Sequence, residues 1–240
     1  MNVNTLICIH GSGDSARCWD PLLASMGDAA ASLLALDLPG HGARAQKPPP
    51  QPSNVAAYAD ALLADLDQRA LDAVTLVGHS LGSAIALHLA LAAPTRVRGL
   101  VLVGAGARLR VLPAILELAR TDPPAAHRQL VMLGHAPGHE ALAARYLEHA
   151  LPFAPGALHG DLAACDGFDV MEQLAQVRQP ALVVVGESDR LTPPKYAAYL
   201  AEHLPASTLA VIPDAGHSVM HEAPEALAQH LTAWLAGREA

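Results

Sequence analysis

The sequence predicts an α/β fold: a mostly parallel sheet of about six strands, helices on both faces, and a helical insertion after the fourth strand. Three observations predict it. Six short runs are apolar throughout, the pattern of strands buried on both sides. Segments with apolar residues at helical spacing alternate with those runs, which calls for right-handed crossovers and hence parallel strands. The alternation stops between Ala107 and Phe168 and then resumes.

Thr5 to Ile9 is the first run and ends in His10-Gly11-Ser12-Gly13. A helix follows, with Trp19, Leu22, Leu23 and Met26 on one face. Ser32 to Leu38 is the second run, ending in the turn Asp37-Leu38-Pro39-Gly40-His41-Gly42. Lys47 to Pro52 is a proline-rich loop that excludes helix and central strand. Ser53 or Asn54 caps a helix carrying Val55, Tyr58, Leu62, Leu63 and Leu66. Ala73 to Val77 is the third run, and a helix from Leu81 to Ala93 follows it directly. Leu100 to Val103 is the fourth, ending in Gly104-Ala105-Gly106. Residues 107–168 then read as several short helices punctuated by Pro123-Pro124, Pro137-Gly138 and Pro152 to Gly156. Ala181 to Val185 is the fifth run, ending in Gly186-Glu187-Ser188-Asp189; Pro193 to Leu204 is a helix. Thr208 to Ile212 is the last run, ending in Pro213-Asp214-Ala215-Gly216-His217, and a helix covers about Ala223 to Leu235. The expected organisation is a core of 1–106 and 169–240 with a helical cap, 107–168, over the strand ends.

The chain has 240 residues, 52% of them hydrophobic but only 3% aromatic, which suits one aliphatic core. The net charge is −8 and the basic residues are scattered singly, so nucleic acid is not an expected partner. Cys8, Cys18 and Cys165 have no paired spacing and predict neither a disulfide framework nor a zinc site. The start of the chain shows no basic n-region, and no apolar stretch is long enough to span a membrane. A cytoplasmic protein without membrane association is therefore expected.

The chemistry is concentrated at strand ends. Gly78-His79-Ser80-Leu81-Gly82 is G-x-S-x-G between a strand and a helix, the setting that lifts a serine hydroxyl clear of the backbone on a strained turn. Flanking glycines let the neighbouring elements approach. As a bare pentapeptide the motif would more simply mark a strand end and a helix cap; the strand before it and the helix after it give it meaning. Ligands bind beyond the carboxyl ends of parallel strands. Three loops there carry reactive groups: Ser80, Asp189 and His217. A serine hydroxyl is a poor nucleophile alone; His217 can take its proton, and Asp189 can hold the imidazole. Asp189 could be a turn former ahead of Pro193-Pro194, but its position after a parallel strand favours the catalytic reading. Asp214 is the rival acid but lies so near His217 in sequence that shaping the turn suits it better, and Asp37 is expected to brace the Pro39-Gly40 turn. The N–H of Leu81 is the expected first oxyanion donor and that of Ser12 the second, with Gly13 as alternative; such donors are worth about 3 kcal/mol each. Phosphate binding by the same loop is disfavoured, because Ala16 and Arg17 stand where a third glycine would be sought. His127, His135, His139, His149 and His159 show no metal spacing and read as packing or solvated residues. His79 reads as packing beside the turn, and Trp19, Tyr58 and Trp234 as core.

Together, His10-Gly11-Ser12-Gly13, Asp37-Leu38-Pro39-Gly40-His41-Gly42, the Ser80 motif, Gly186-Glu187-Ser188-Asp189 and Gly216-His217 resemble the α/β-hydrolase superfamily, in order and over nearly the whole chain. The resemblance implies the α/β-hydrolase fold and a Ser-Asp-His hydrolase with a helical cap and no cofactor or metal. The chain starts almost at the first parallel strand, so the extra antiparallel hairpin of many members is not expected. A serine nucleophile speaks against the dehalogenases and epoxide hydrolases of that superfamily, which use aspartate. An aliphatic cap without a basic cluster leads to the expectation of an esterase acting on a small, fairly apolar carboxylic ester. The alternatives are thioester or C–C bond hydrolysis or acyl transfer on the same residues, or a non-catalytic small-ligand receptor. Oligomeric state is not readable from the chain.

Overall fold

The computed structural model describes residues 5–46 and 52–239; the proline-rich stretch 47–51 lies outside them. Six strands form one parallel sheet in the order β2-β1-β3-β4-β5-β6: β1 (Leu6–Ile9), β2 (Leu33–Leu36), β3 (Val74–His79), β4 (Val97–Val103), β5 (Ala181–Gly186) and β6 (Ser207–Ile212). Alternate residues of the central strands feed two cores. Ile7, Leu76, Leu100 and Val183 pack on one face against α2 (Val55–Gln68), α3 (Leu81–Ala92) and α8 (Pro194–His203). Cys8, Val77, Val101 and Val184 pack on the other, against α1 (Asp20–Met26) and α10 (Pro224–Glu239). Burial on both sides is why these runs carry no polar alternation.

Residues 113–166 hold four helices, α4 (Pro113–Thr121), α5 (Pro123–Gly134), α6 (Glu140–His149) and α7 (Ala157–Asp166). α4, α5 and α7 share a small core of their own, centred on Ala119, Ala126, Leu158 and Leu162. A short helix, α9 (Val219–Glu222), precedes α10.

Three details differ from the sequence reading. β4 starts at Val97, three residues early, because the exposed Arg98 interrupts the apolar run without interrupting the strand. β2 stops at Leu36, since Asp37 already turns away to receive the N–H groups of Ala16 and Ala43 at 2.7 and 2.8 Å. Asp37 thus ties two turns together and does more than brace Pro39-Gly40. On β6, Leu209 and Val211 are 39% and 45% exposed, because an edge strand has no neighbour to complete its cover. The cap of α2 is Asn54, whose side chain accepts from Ala57 N–H at 2.9 Å.

β1 lies between β2 and β3, so the chain leaves its two neighbours in opposite directions and opens a crevice at the C-terminal ends of β1 and β3. The elements meet very closely there. A Cβ on Gly82 would fall 2.3 Å from the Ile9 carbonyl oxygen, and one on Gly78 would fall 2.3 Å from the Gly82 carbonyl oxygen. Gly82→Ala is expected to lower the unfolding free energy by about 3 kcal/mol in denaturant titrations. Gly237→Ala, in an exposed turn of α10 with nothing within 4 Å, is expected to raise it by up to about 1 kcal/mol.

Candidate active site

Ser80 links β3 to α3 at φ 52°, ψ −113°, a conformation that costs a non-glycine residue about 1–3 kcal/mol. Its neighbours hold it there. Its N–H donates to the Val103 carbonyl at 2.9 Å, and its own carbonyl accepts from Ser83 N–H at 2.9 Å, Ala84 N–H at 3.2 Å and the Ser83 hydroxyl at 2.6 Å. α3 begins at Leu81, so the first N–H groups of the helix have no carbonyl of their own turn to bond, and its positive dipole end faces the crevice.

The loop after β5 and the loop after β6 meet beside this turn. His217 Nδ1 lies 2.8 Å from Asp189 Oδ2. The Oδ1 atom of Asp189 accepts the N–H groups of Leu191 and Thr192, both at 2.8 Å, while the Thr192 hydroxyl donates to Oδ2 at 2.8 Å and lies 3.0 Å from His217 Nδ1. Burial pushes the Asp189 pKa up, but the adjacent imidazole and these donors more than offset it and hold the group below the ordinary carboxylate value. The acid is therefore ionised at neutral pH and orients a His217 tautomer that carries its proton on Nδ1. Asp214 is exposed, at φ 54°, and serves its turn. His79 is kept neutral by burial; its Nε2 lies 3.1 Å from the His217 carbonyl and its ring 4.7 Å from the His217 ring.

The loop after β1 is held from above. Gly13 N–H donates to Asp161 Oδ2 at 2.8 Å, which engages that N–H and leaves Ser12 as the free candidate of the pair considered from sequence. Asp161, on α7, is fully buried; it also accepts the Tyr58 hydroxyl and lies 2.9 Å from His41 Nε2. Desolvation works against a charge on His41, but the Asp161 carboxylate outweighs it and raises the imidazole pKa above 6.5. Tyr58 is thus a core residue with a polar task at its tip. Next along the loop, Asp14 Oδ1 accepts the Tyr146 hydroxyl of α6 and Ser15 N–H, each at 2.7 Å, and burial pushes its carboxyl up to about 6. Neither Asp161 nor Thr192 stands out in the sequence. The one hint for Asp161 is an acidic residue set among Leu158, Leu162 and Ala164 in an apolar helix.

Ser80, His217 and Ser12 line one cavity of about 280 Å³, roofed largely by aliphatic side chains such as Leu109, Ile115 and Leu130. The helices above it are tied to the loop after β6. The Gly134 carbonyl accepts His217 N–H at 2.6 Å, and the Glu222 carboxylate receives the N–H groups of Gly216 and Ala136. Among the described residues, no cluster of three or more His, Cys, Asp or Glu side chains is arranged to hold a metal ion.

Comparison with known proteins agrees with this geometry. A family model described as the alpha/beta hydrolase family matches residues 6–230. A pimeloyl-[acyl-carrier protein] methyl ester esterase of Neisseria meningitidis is 33% identical, covering 94% of this chain and 91% of the relative. One of Nitrosomonas europaea is 29% identical over 92% of this chain and 91% of the relative. The structure of a thermophilic esterase superposes with a TM-score of 0.78 at 34% identity, covering 97% of this chain and 90% of the other.

The His41–Asp161 pair sets a pH dependence. A raised imidazole pKa gives stability that is complete below the unfolded value of 6.5 and lost as the pH climbs through the folded value. Asp14 and the depressed histidines His10, His127 and His221 change charge below that window. Above pH 6.5 the unfolding free energy of the wild type, from denaturant titrations, is expected to fall, and that of Asp161→Asn to be flatter with pH and lower by about 3 kcal/mol at pH 6.5.

Proposed function

The chain belongs to the alpha/beta hydrolase family, and on that premise we propose that it hydrolyses small, fairly apolar carboxylic esters through an acyl-enzyme on Ser80. The observation that carries the reading is the 2.8 Å contact between His217 Nδ1 and Asp189, opening on the cavity that also receives the Ser80 hydroxyl.

In this reading His217 Nε2 takes the proton of Ser80 Oγ as the oxygen attacks the ester carbonyl. Asp189 stabilises the imidazolium by charge and fixes the ring, without taking the proton itself. The N–H groups of Leu81 and Ser12 receive the oxyanion. His217 then protonates the departing alcohol. Water, deprotonated by the same nitrogen, attacks the acyl-enzyme, and the acid leaves with Ser80 restored. Residues 107–168 act as the cap, excluding bulk water and supplying the wall against which the substrate chain packs.

The aliphatic roof supports an uncharged chain in the substrate. The relatives in Neisseria and Nitrosomonas are named for a methyl ester of a carrier-bound acyl group; we propose methyl esters of straight-chain acids as the first class to examine. The three free, buried cysteines support a reducing, cytoplasmic setting.

With p-nitrophenyl butyrate, Ser80→Ala is expected to lower kcat by at least about 10³-fold, and Asp189→Asn by up to about 10⁴-fold, with folding unchanged. A fluorophosphonate is expected to label Ser80 in the wild type and nowhere in Ser80→Ala. Full turnover by Ser80→Ala would overturn the reading.

A further inference from the structure

A second hollow lies in the helices above the site. It is a groove of about 730 Å³ between α5, α6 and the segment 150–153, with Met132, Leu147, Leu151 and Phe153 as its apolar wall and Arg128 and Glu148 at its rim. His127 lines both this groove and the cavity that holds Ser80. Its ring stands edge-on between two aromatic rings, with Phe153 at 5.4 Å and 82° on the groove side and Tyr146 at 6.4 Å and 64° on the cavity side. It also rests on the loop after β1. A Cβ on Gly13 would fall 3.1 Å from His127 Cδ2, and Gly13 takes φ +69°, so this residue leaves room for the ring.

We infer that His127 is a specificity-determining residue: its imidazole is the partition that ends the reaction cavity, and the apolar groove behind it is the space a longer chain would fill. The inference rests on the ester-hydrolase reading. Burial, reinforced by His41, depresses the His127 pKa to about 4, so at neutral pH the partition is an uncharged ring that an alkyl chain can abut. The ring is buried by packing on three sides, which makes it a fixed stop. The groove beyond is larger than the cavity, and Met132, Leu147, Leu151 and Phe153 give it an apolar wall beside Arg128 and Glu148, so removing the stop adds chain-binding volume along that wall.

The test is a length profile. Wild type, His127→Ala and His127→Phe are assayed with p-nitrophenyl esters of straight-chain acids and with straight-chain alkyl butyrates, from the shortest member to about twelve carbons. His127→Ala is expected to raise kcat/KM for the longest esters, relative to butyrate, about tenfold or more in the series whose chain points at residue 127. His127→Phe keeps the wall and is expected to keep the wild-type profile. Adding Ala144→Trp, which fills the groove, to His127→Ala is expected to abolish the gain. Should His127→Ala fail to fold, Phe153→Ala thins the same wall from the groove side and is expected to move the profile in the same direction. Active variants whose profiles match the wild type in both series would overturn the inference and leave the hydrolase reading intact. A wild type that neither turns over these esters nor accepts the fluorophosphonate would overturn that reading, and this inference with it.

Discussion

Everything at the crevice depends on one crowded contact, the approach of β1, β3 and α3 within backbone distance of each other. Glycines at 78 and 82 permit it. The approach compresses the turn so that Ser80 must take a conformation that an unconstrained serine avoids. The gain is geometric. The hydroxyl is carried off the sheet edge, the start of a helix is placed under it, and the first strand's loop is drawn alongside. No flexible side chain could hold these three groups together as firmly as backbone packed on backbone.

The fold was largely legible because the sheet is buried on both faces. That condition writes itself into the sequence as uninterrupted apolar runs, and the chemistry-bearing residues stand directly at the ends of those runs. What could not be read follows from the same logic. Arg98 masks the start of a strand because a single exposed position can be charged without breaking the ladder. Leu209 and Val211 look like covered residues because an apolar run does not say whether a neighbour lies beyond it. The role of Asp161 could not be read because its three partners, Gly13, Tyr58 and His41, are at least 103 residues away and belong to no local pattern. Thr192 was equally hidden, since the register of the loop after β5 decides whether its hydroxyl meets the carboxylate or water.

Buried polar groups do in the upper part of this molecule what close packing does in the lower part. Asp161 and Tyr146 hold the loop after β1, Arg190 reaches the His135 carbonyl at 2.9 Å from the loop after β5, and Glu222 and Gly134 bind the loop after β6 to the end of α5. The loops after β1, β5 and β6 are therefore each fixed on two sides. The arrangement aligns groups drawn from three separate crossovers, and it makes their alignment sensitive to residues remote from the chemistry.

The roof is tied to the floor at several points. The side chain of Leu112 borders the cavity with 71% of its surface in solvent. Rotamer hops of such a side chain take picoseconds to nanoseconds, whereas hinge motions of whole elements take microseconds or longer. A change at the mouth of this cavity can therefore occur on the faster of these scales, without any movement of the helices overhead.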